Sequence, residues 1–396
     1  MIKGMNSISK KFYHLVTYLF VLSLMLDPTN SILRLKVPLF LIFVFSLAIN
    51  YKPDYKYMPH IVLLAIVNAI AFSSGTLAGQ EFDYNMTVQY LIFFLLFICL
   101  IWRKSLDVLT PIIFSSVIVS VITVISFISF TAYPELSLAI YDFSSAHDQF
   151  IMIGERNFLG VEFRQVFYKS VPVIIFPAAY CFYKFVYIKS GRLKYFMLTI
   201  LFMFALFCGG NRSLLGSMFA ILFFVAYKKI SKHKLFVPVL LIILTIASYI
   251  FFLAITDASE ASTGVKIRHM QSFYDYFSDK WYLLPFGSGA GAYFDVKDYG
   301  FTTITEMTYM ELIRMYGLIG LCIIMYFFLI PLFNNKTKAK KIMYWRPFSI
   351  SYIIYLIISG SNPYLISSTG FISVLLMFTV ISNPKYLIQN ENRTKI

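Results

Sequence analysis

VLTPIIFSSVIVSVITVISFISFTAY, residues 108–133, runs for 26 positions without a charged side chain. As a helix it would extend for about 39 Å, more than the ~30 Å hydrocarbon core of a bilayer. In lipid a strand or loop would leave its N–H and C=O groups unpaired, and the run lacks the alternation of a barrel strand, so a spanning helix is the reading. Working outward, similar apolar runs fall at roughly 12–26, 37–50, 60–74, 88–102, 165–188, 194–209, 212–228, 235–255, 309–333, 344–360 and 369–388. Those at 37–50, 60–74 and 344–360 are short for such a core. The expectation is an all-α polytopic membrane protein with about twelve transmembrane helices, forming a single transmembrane domain over residues 1–396. Composition agrees: 59% of the chain is hydrophobic and 13% charged, where a soluble domain carries about 25% charged residues. The 42 Phe and 29 Tyr suit lipid-facing surfaces and interfacial belts.

The N-terminal MIKGMNSISKKFYHLV is basic and then apolar, like a signal peptide, but no small-residue cleavage site follows, so it reads as a retained anchor. With this end cytoplasmic, twelve spans place the C-terminus there too. The cytoplasmic segments then hold 23 of the 34 Lys+Arg, including Lys228, Lys229, Lys232, Lys234 and the KTKAKK run at 336–341. They hold only Asp54, Asp107 and Glu391 of the 19 acidic residues. The net charge of +15 is therefore the positive-inside rule at work, with contact to anionic membrane lipid and no nucleic-acid partner. Cys99, Cys181, Cys208 and Cys322 lie in or beside apolar runs without paired ligand spacing, which supports neither a disulfide framework nor a zinc site. The chain has no GxxxxGK[ST] phosphate loop and no cytoplasmic segment long enough for a nucleotide-binding module.

Two sizeable extracytoplasmic loops remain, 134–164 and the larger 256–308 between spans nine and ten. Ionisable groups near membrane depth are costly and point to function. Arg212 sits in GGNRSLLG, a tight turn between two spans; Arg268 is followed by His269; Arg314 enters a span three residues after Glu311; Arg156 and Arg164 lie in the first loop. Each has a structural alternative: a helix cap or carbonyl ligand for Arg212, an i,i+3 pair with Glu311 for Arg314, snorkelling for Arg164, a local pair with Glu155 for Arg156. Their number and placement favour a diphosphate site, because a guanidinium forks onto phosphate oxygens and keeps its proton.

The larger loop begins with VKIRHMQSFYDYFSDKW, residues 265–281, where Ile267, Met270, Tyr274, Phe277 and Trp281 recur every three to four positions. That predicts an amphipathic helix on the membrane face, with Met270, Phe273 and Phe277 as a packing stripe. LLPFGSGAGAYF follows at 283–294, and its Gly287, Gly289 and Gly291 permit close backbone approach, with N–H groups free for an oxyanion or a sugar. In TEMTYMELIRMYGLIGL, residues 305–321, Glu306, Tyr309 and Ile313 share a helical face. Thr305 suits a cap with Glu306 in the first turn, and Glu306 also suits a general base at the mouth of a membrane cavity.

Three blocks resemble the O-antigen and capsular polysaccharide polymerase/ligase superfamily of bacterial polytopic membrane proteins, over roughly residues 205–330. CGGNRSLLGSMFAILF resembles its arginine turn that opens a span. Arg268 with KWYLLPFGSGAGAYF resembles its arginine followed by P-x-G-x-G-x-G. TEMTYMELIRMYGLIGL is similar to its H-N-x-Y-x-E-L-x-x-x-x-G-x-x-G block, with Tyr309, Glu311, Leu312, Gly317 and Gly320 on the pattern. Glu306 and Met307 stand where ligase-type members carry His and Asn, which favours a polymerase over a ligase. The resemblance implies glycosyl transfer in the bacterial cytoplasmic membrane from a glycan on undecaprenyl diphosphate to a sugar hydroxyl of a lipid-linked repeat unit. Arg212 and Arg268 would hold the departing diphosphate and Glu306 would accept the proton. Arg156, Arg164, Arg314, His269, Tyr309 and the three glycines would contact substrate, with no cofactor and no metal. A chain-length regulator and a flippase are the implied partners. The alternatives are a ligase that moves finished chains and, in a different class, a transporter; the latter would place its charges near the midplane of broken helices.

Overall fold

The computed structural model describes residues 7–147, 150–158, 161–231, 261–333, 345–360 and 362–383. The chain is mostly helical. Helices α1 (Ser7–Leu26), α2 (Lys36–Asn50), α3 (Met58–Leu77), α4 (Tyr84–Leu95, continued by a 3-10 segment Leu96–Trp102) and α5 (Leu109–Ala132) match the first five expected spans within a few residues. So do α8 (Arg192–Cys208), α9 (Arg212–Ile230), α11 (Thr308–Phe333), α12 (Trp345–Ser359) and α13 (Ser368–Ser382), separated by α6 (Pro134–Ser145), α7 (Ile175–Tyr187) and α10 (Ala261–Asp279). The expected span at 235–255 lies outside the described residues. Among the described residues, Tyr55–Leu77, Tyr84–Trp102, Leu109–Ala132 and Thr308–Phe333 are long and apolar enough to cross a bilayer, and several shorter apolar helices accompany them. This is a membrane-embedded helical protein.

Side-chain placement follows from that solvent. On α2, Leu41, Phe45 and Ile49 are more than 60% exposed while Phe43 and Leu47 are fully buried, so the helix turns one apolar stripe outward to lipid and another inward. On α5 the buried residues include Ser115, Ser116, Ser120 and Thr123, and the exposed ones Phe114, Val121, Ile125 and Ile128. The small hydroxyl residues face the protein, where α5 packs on α1 and α8. In lipid, apolar burial adds little between helices, and small residues let backbones approach.

Hydrogen bonds sort the connections into two ends. At one end Arg103 reaches the Asp54 carboxylate at 2.7 Å, Trp102 donates to the Tyr51 carbonyl and Asn383 to the Leu106 carbonyl. At the other, Tyr168 donates to the Leu26 carbonyl, Lys36 to Ser368 at 2.8 Å, Asn211 to Tyr364 and Thr308 to the Asn362 carbonyl. Both extracytoplasmic loops of the sequence reading belong to this second end, which we call the loop end.

Two expectations need correction. The run at 165–188 is not one helix: residues 161–168 form strand β2, a 3-10 turn covers Val171–Ile174 and α7 begins at Ile175. β2 pairs antiparallel with β1 (Ile151–Phe158), in a register from Ile151↔Tyr168 to Phe158↔Val161. The loop at 134–164 is thus a helix and most of a hairpin. Val166, Phe167 and Tyr168 are buried against the bundle, so an apolar stretch that reads as lipid-facing is apolar because protein covers it.

The second correction concerns α11, which is broken at Gly317 (φ 69°, ψ 178°). Such a break strands backbone groups, and in a membrane protein they must be satisfied by other protein groups. The glycine loop supplies them. Leu318 N–H donates to the Leu284 carbonyl (2.9 Å) and Ile319 N–H to the Pro285 carbonyl (3.3 Å), while the carbonyls of Arg314 and Met315 accept from Ser288 and Gly289 N–H (2.8 and 2.9 Å). A Cβ on Gly317 would lie 2.2 Å from the Pro285 oxygen, so both the dihedrals and the approach require glycine.

Candidate functional site

The loop end carries a small core of its own. Phe273 of α10 stacks on Phe294 (centroids 5.3 Å) and, with Val296, packs against Tyr276, Phe277, Met307 and Met310. Phe294 begins strand β3 (Phe294–Val296), which pairs with β4 (Gly300–Thr302). α10 is amphipathic as expected, but its inward residue is Phe273, while Ile267, Met270 and Tyr274 are each more than half exposed. The expected Met270–Phe273–Phe277 stripe is therefore split between two faces.

Arg314 is the most deeply set charge of this end, with no exposed surface. Its Nε donates to Glu311 Oε2 (3.2 Å), Nη1 to the Ala292 carbonyl (2.8 Å) and Nη2 to the Thr303 carbonyl (2.9 Å) and to Glu311 Oε1. The guanidinium also lies 4.4 Å over the Phe294 ring. Glu311 accepts from Thr305 Oγ1 as well (3.2 Å). This network ties α11 to both ends of the segment 292–303. Four of its five N–H donors are engaged within the fold, two of them with Glu311, which is the i,i+3 pair that the sequence offered as the structural alternative to a substrate contact. Thr305 is corrected: it reaches Glu311 instead of capping the helix, which begins at Thr308.

The glycine run is also engaged with protein. Gly287 and Gly289 donate to the Leu283 and Met315 carbonyls, and the Gly291 carbonyl accepts from Asp83 N–H. A Cβ at Gly287, Gly289 or Gly291 would come within 2.4–2.7 Å of Met315, Phe82 or Asp83. The structure thus corrects the expectation of free N–H groups at Gly287 and Gly289; what the run provides is close approach. Thr87 Oγ1 to the Ala290 carbonyl (2.8 Å) and Tyr293 N–H to the Glu81 carbonyl (2.9 Å) stitch it to the α3–α4 turn. Tyr309, expected as a substrate contact, has its hydroxyl donating to the Leu356 carbonyl of α12.

Arg268 and Glu306 remain accessible, and His269 lies buried beside Arg268. Arg268 is about one-third exposed, 3.7 Å from Asp298 Oδ2, with Nη2 3.3 Å from the Tyr299 hydroxyl and the guanidinium 5.6 Å from that ring. His269 is 7% exposed, its Nδ1 is buried without a hydrogen-bond partner, and its ring meets Tyr299 edge-on at 5.9 Å. Burial pushes the imidazole below its usual pKa; the Glu306 and Glu311 carboxylates pull it back up, and Arg268 pushes it further down. Glu306 is exposed. One guanidinium, one buried imidazole and the Glu306 and Glu311 carboxylates thus lie within electrostatic reach of one another around His269.

The turn between α8 and α9 is the short one the sequence predicts. Asn211 caps α9, accepting from Ser213 and Leu214 N–H (3.1 and 3.2 Å) and donating to the Tyr364 hydroxyl (2.8 Å). Arg212 is the first residue of that helix; its side chain, like that of Arg156, lies outside the described residues. Arg156 faces Phe163 in the hairpin register. Glu155 lies 3.5 Å from Arg164, directly opposite, and Arg164 Nη1 also donates to the Phe130 carbonyl (3.3 Å).

Tyr364 joins these parts and was not singled out from the sequence. Its ring stacks on Phe167 of β2 (centroids 6.3 Å), its hydroxyl takes Asn211 and its N–H donates to the Asn362 carbonyl, which also accepts from Thr308 Oγ1 (2.7 Å). The α12–α13 connection therefore bridges the first loop, the Asn211–Arg212 turn and the start of α11. The only sequence signal for it is an SNPY turn between two apolar runs. Among the described residues no group of His, Cys, Asp and Glu is arranged to hold a metal ion. No protein-family model matches the chain, and no curated protein matches it.

Proposed function

We propose that the chain is a polysaccharide repeat-unit polymerase of the bacterial cytoplasmic membrane, crossing it about twelve times with both termini in the cytoplasm. What supports this reading is that Asn211, the residue before Arg212, and Thr308, two residues after Glu306, are both tied to the α12–α13 connection, while His269 lies within electrostatic reach of Glu306, Glu311 and Arg268. In the reaction a hydroxyl oxygen of the lipid-linked acceptor attacks the anomeric carbon of the donor glycan. The bond from that carbon to undecaprenyl diphosphate breaks, the diphosphate leaves with the electron pair, and the hydroxyl proton passes to Glu306. Arg268 and Arg212 hold the negative charge that develops on the leaving group, as fixed guanidiniums do for a departing phosphate. Arg268 is one-third exposed and its carboxylate neighbour is mostly exposed, so a diphosphate can take over its fork.

The test is glycan analysis of a strain lacking the chain, complemented with variants. Polymerase loss leaves single repeats on lipid; ligase loss leaves long chains that are not attached; transporter loss leaves no repeats outside. Arg268→Ala and Arg268→Lys should both give single repeats with normal membrane insertion, since an ammonium is only a point charge. Long chains from Arg268→Ala would reject the diphosphate role.

A further inference from the structure

The end opposite the loops holds a groove that the proposed reaction does not use. It lies between α7, α8 and α9 and has a volume of about 320 Å³. Phe182, Phe185 and Val186 of α7 and Ala226 of α9 form its apolar lining, and Arg192 and Lys229 are the polar residues at it among those described. Lys229 Nζ lies 3.4 Å from the Val186 carbonyl. Among the described residues neither cation has a carboxylate partner, and Asp54 of this end is held by Arg103 and Lys104.

The groove opens onto a surface shaped for hydrocarbon. Phe185 meets Phe196 of α8 at 5.1 Å between ring centroids. From there Leu193, Phe196, Ile200, Phe204 and Phe207, each at least 40% exposed, form a stripe at three- and four-residue spacing along α8. That stripe covers about 21 Å of helix, more than half of a ~30 Å hydrocarbon core. Two cations without a carboxylate partner among the described residues, at the head of an apolar track, match one kind of occupant. A nucleotide would find no polar wall, and a zwitterionic lipid would bring its own ammonium against both cations.

We propose that this groove is a binding site for an anionic phospholipid, with the phosphate on Arg192 and Lys229 and an acyl chain along Phe185 and the α8 stripe. A basic pocket between helices at this face adds the fork of an arginine and the attraction of a lysine to apolar contact.

Native mass spectrometry of the full chain, exchanged in detergent with phosphatidylglycerol or with phosphatidylcholine of identical acyl chains, tests the site. One phosphatidylglycerol should be retained and phosphatidylcholine lost. Arg192→Ala with Lys229→Ala should lower retention at least tenfold, while Arg192→Lys with Lys229→Arg should keep it. Should the double alanine variant fail to fold, Lys229→Gln alone, on an exposed last turn, should still lower retention severalfold. Equal retention of the two lipids, or unchanged retention in the neutralised variants, would overturn the proposal. So would displacement of the lipid by millimolar inorganic phosphate, which would mean that the acyl track contributes nothing. These readouts do not depend on polymer synthesis, so they stand or fall apart from the proposed reaction.

Discussion

Replacing Arg314 by Met should be among the most damaging single changes in the loop end. The side chain is fully buried, and its loss leaves Glu311, 5% exposed, as a charge without its cation. Breaking a buried pair by removing one partner costs about 3–5 kcal/mol, roughly two to four decades in the folded-to-unfolded ratio. The carbonyls of Ala292 and Thr303 lose their donors as well. Glu311→Met should cost similarly, because it strands the guanidinium. The double variant should cost less than the sum by about 2–3 kcal/mol, since it leaves no unpaired charge and fills the space with apolar atoms. Equilibrium unfolding in mixed micelles, followed by the fluorescence of the chain's three tryptophans, measures all three variants. Additivity within about 0.5 kcal/mol would refute the reasoning, because it would mean that the two side chains act independently. A double variant that folds and still makes polymer would also confirm that Arg314 holds the loop and does not hold substrate.

Gly317→Ala should lose well over the ~1–3 kcal/mol of its backbone strain, because the new Cβ meets the Pro285 carbonyl at 2.2 Å. Gly216→Ala, in helix α9 with nothing within 4 Å of the new methyl, should be neutral or stabilising by up to ~1 kcal/mol; thermal unfolding of both variants compares them. His269 is held neutral by burial, so below about pH 6.5 the unfolded chain takes up a proton that the native state does not, and stability falls with pH down to the lowered native value. His269→Phe should flatten that slope between pH 7 and 5; an unchanged slope would place the titration elsewhere. At the opposite end the Lys104 hydrogen bond, with Arg103 beside it, holds the Asp54 carboxyl down at about 2. The stability it contributes should be present above about pH 4 and be lost as pH falls toward 2, and Asp54→Asn should remove that loss in acid-unfolding curves.

The spans were legible because lipid imposes a simple rule: about twenty apolar residues with their backbone bonds made internally can be read one segment at a time. The rule failed where protein replaced lipid as the apolar surroundings. FYKSVPVIIF at 167–176 scores like membrane, yet it begins in a strand and a 3-10 turn buried against the bundle. The glycine run showed in the sequence that a close approach exists, but not to what. Glycine permits contact with a ligand or with a neighbouring backbone equally, and only the tertiary structure shows that the neighbours are the broken turn of α11 on one side and the α3–α4 turn on the other.

The chain itself determined that this is a helical membrane protein, and its hydropathy marked two longer polar loops and one tight turn between apolar runs. Hydropathy and charge act over single segments, so those features need no knowledge of neighbours. Which arginines are free was decided only by tertiary structure. Arg268 and Arg314 are equivalent as letters, but one lies against an exposed aspartate and a tyrosine ring while the other is enclosed by Glu311, two carbonyls and Phe294. The difference is the set of partners brought within about 3 Å by segments distant in sequence, and a hydrogen bond loses its strength beyond that reach.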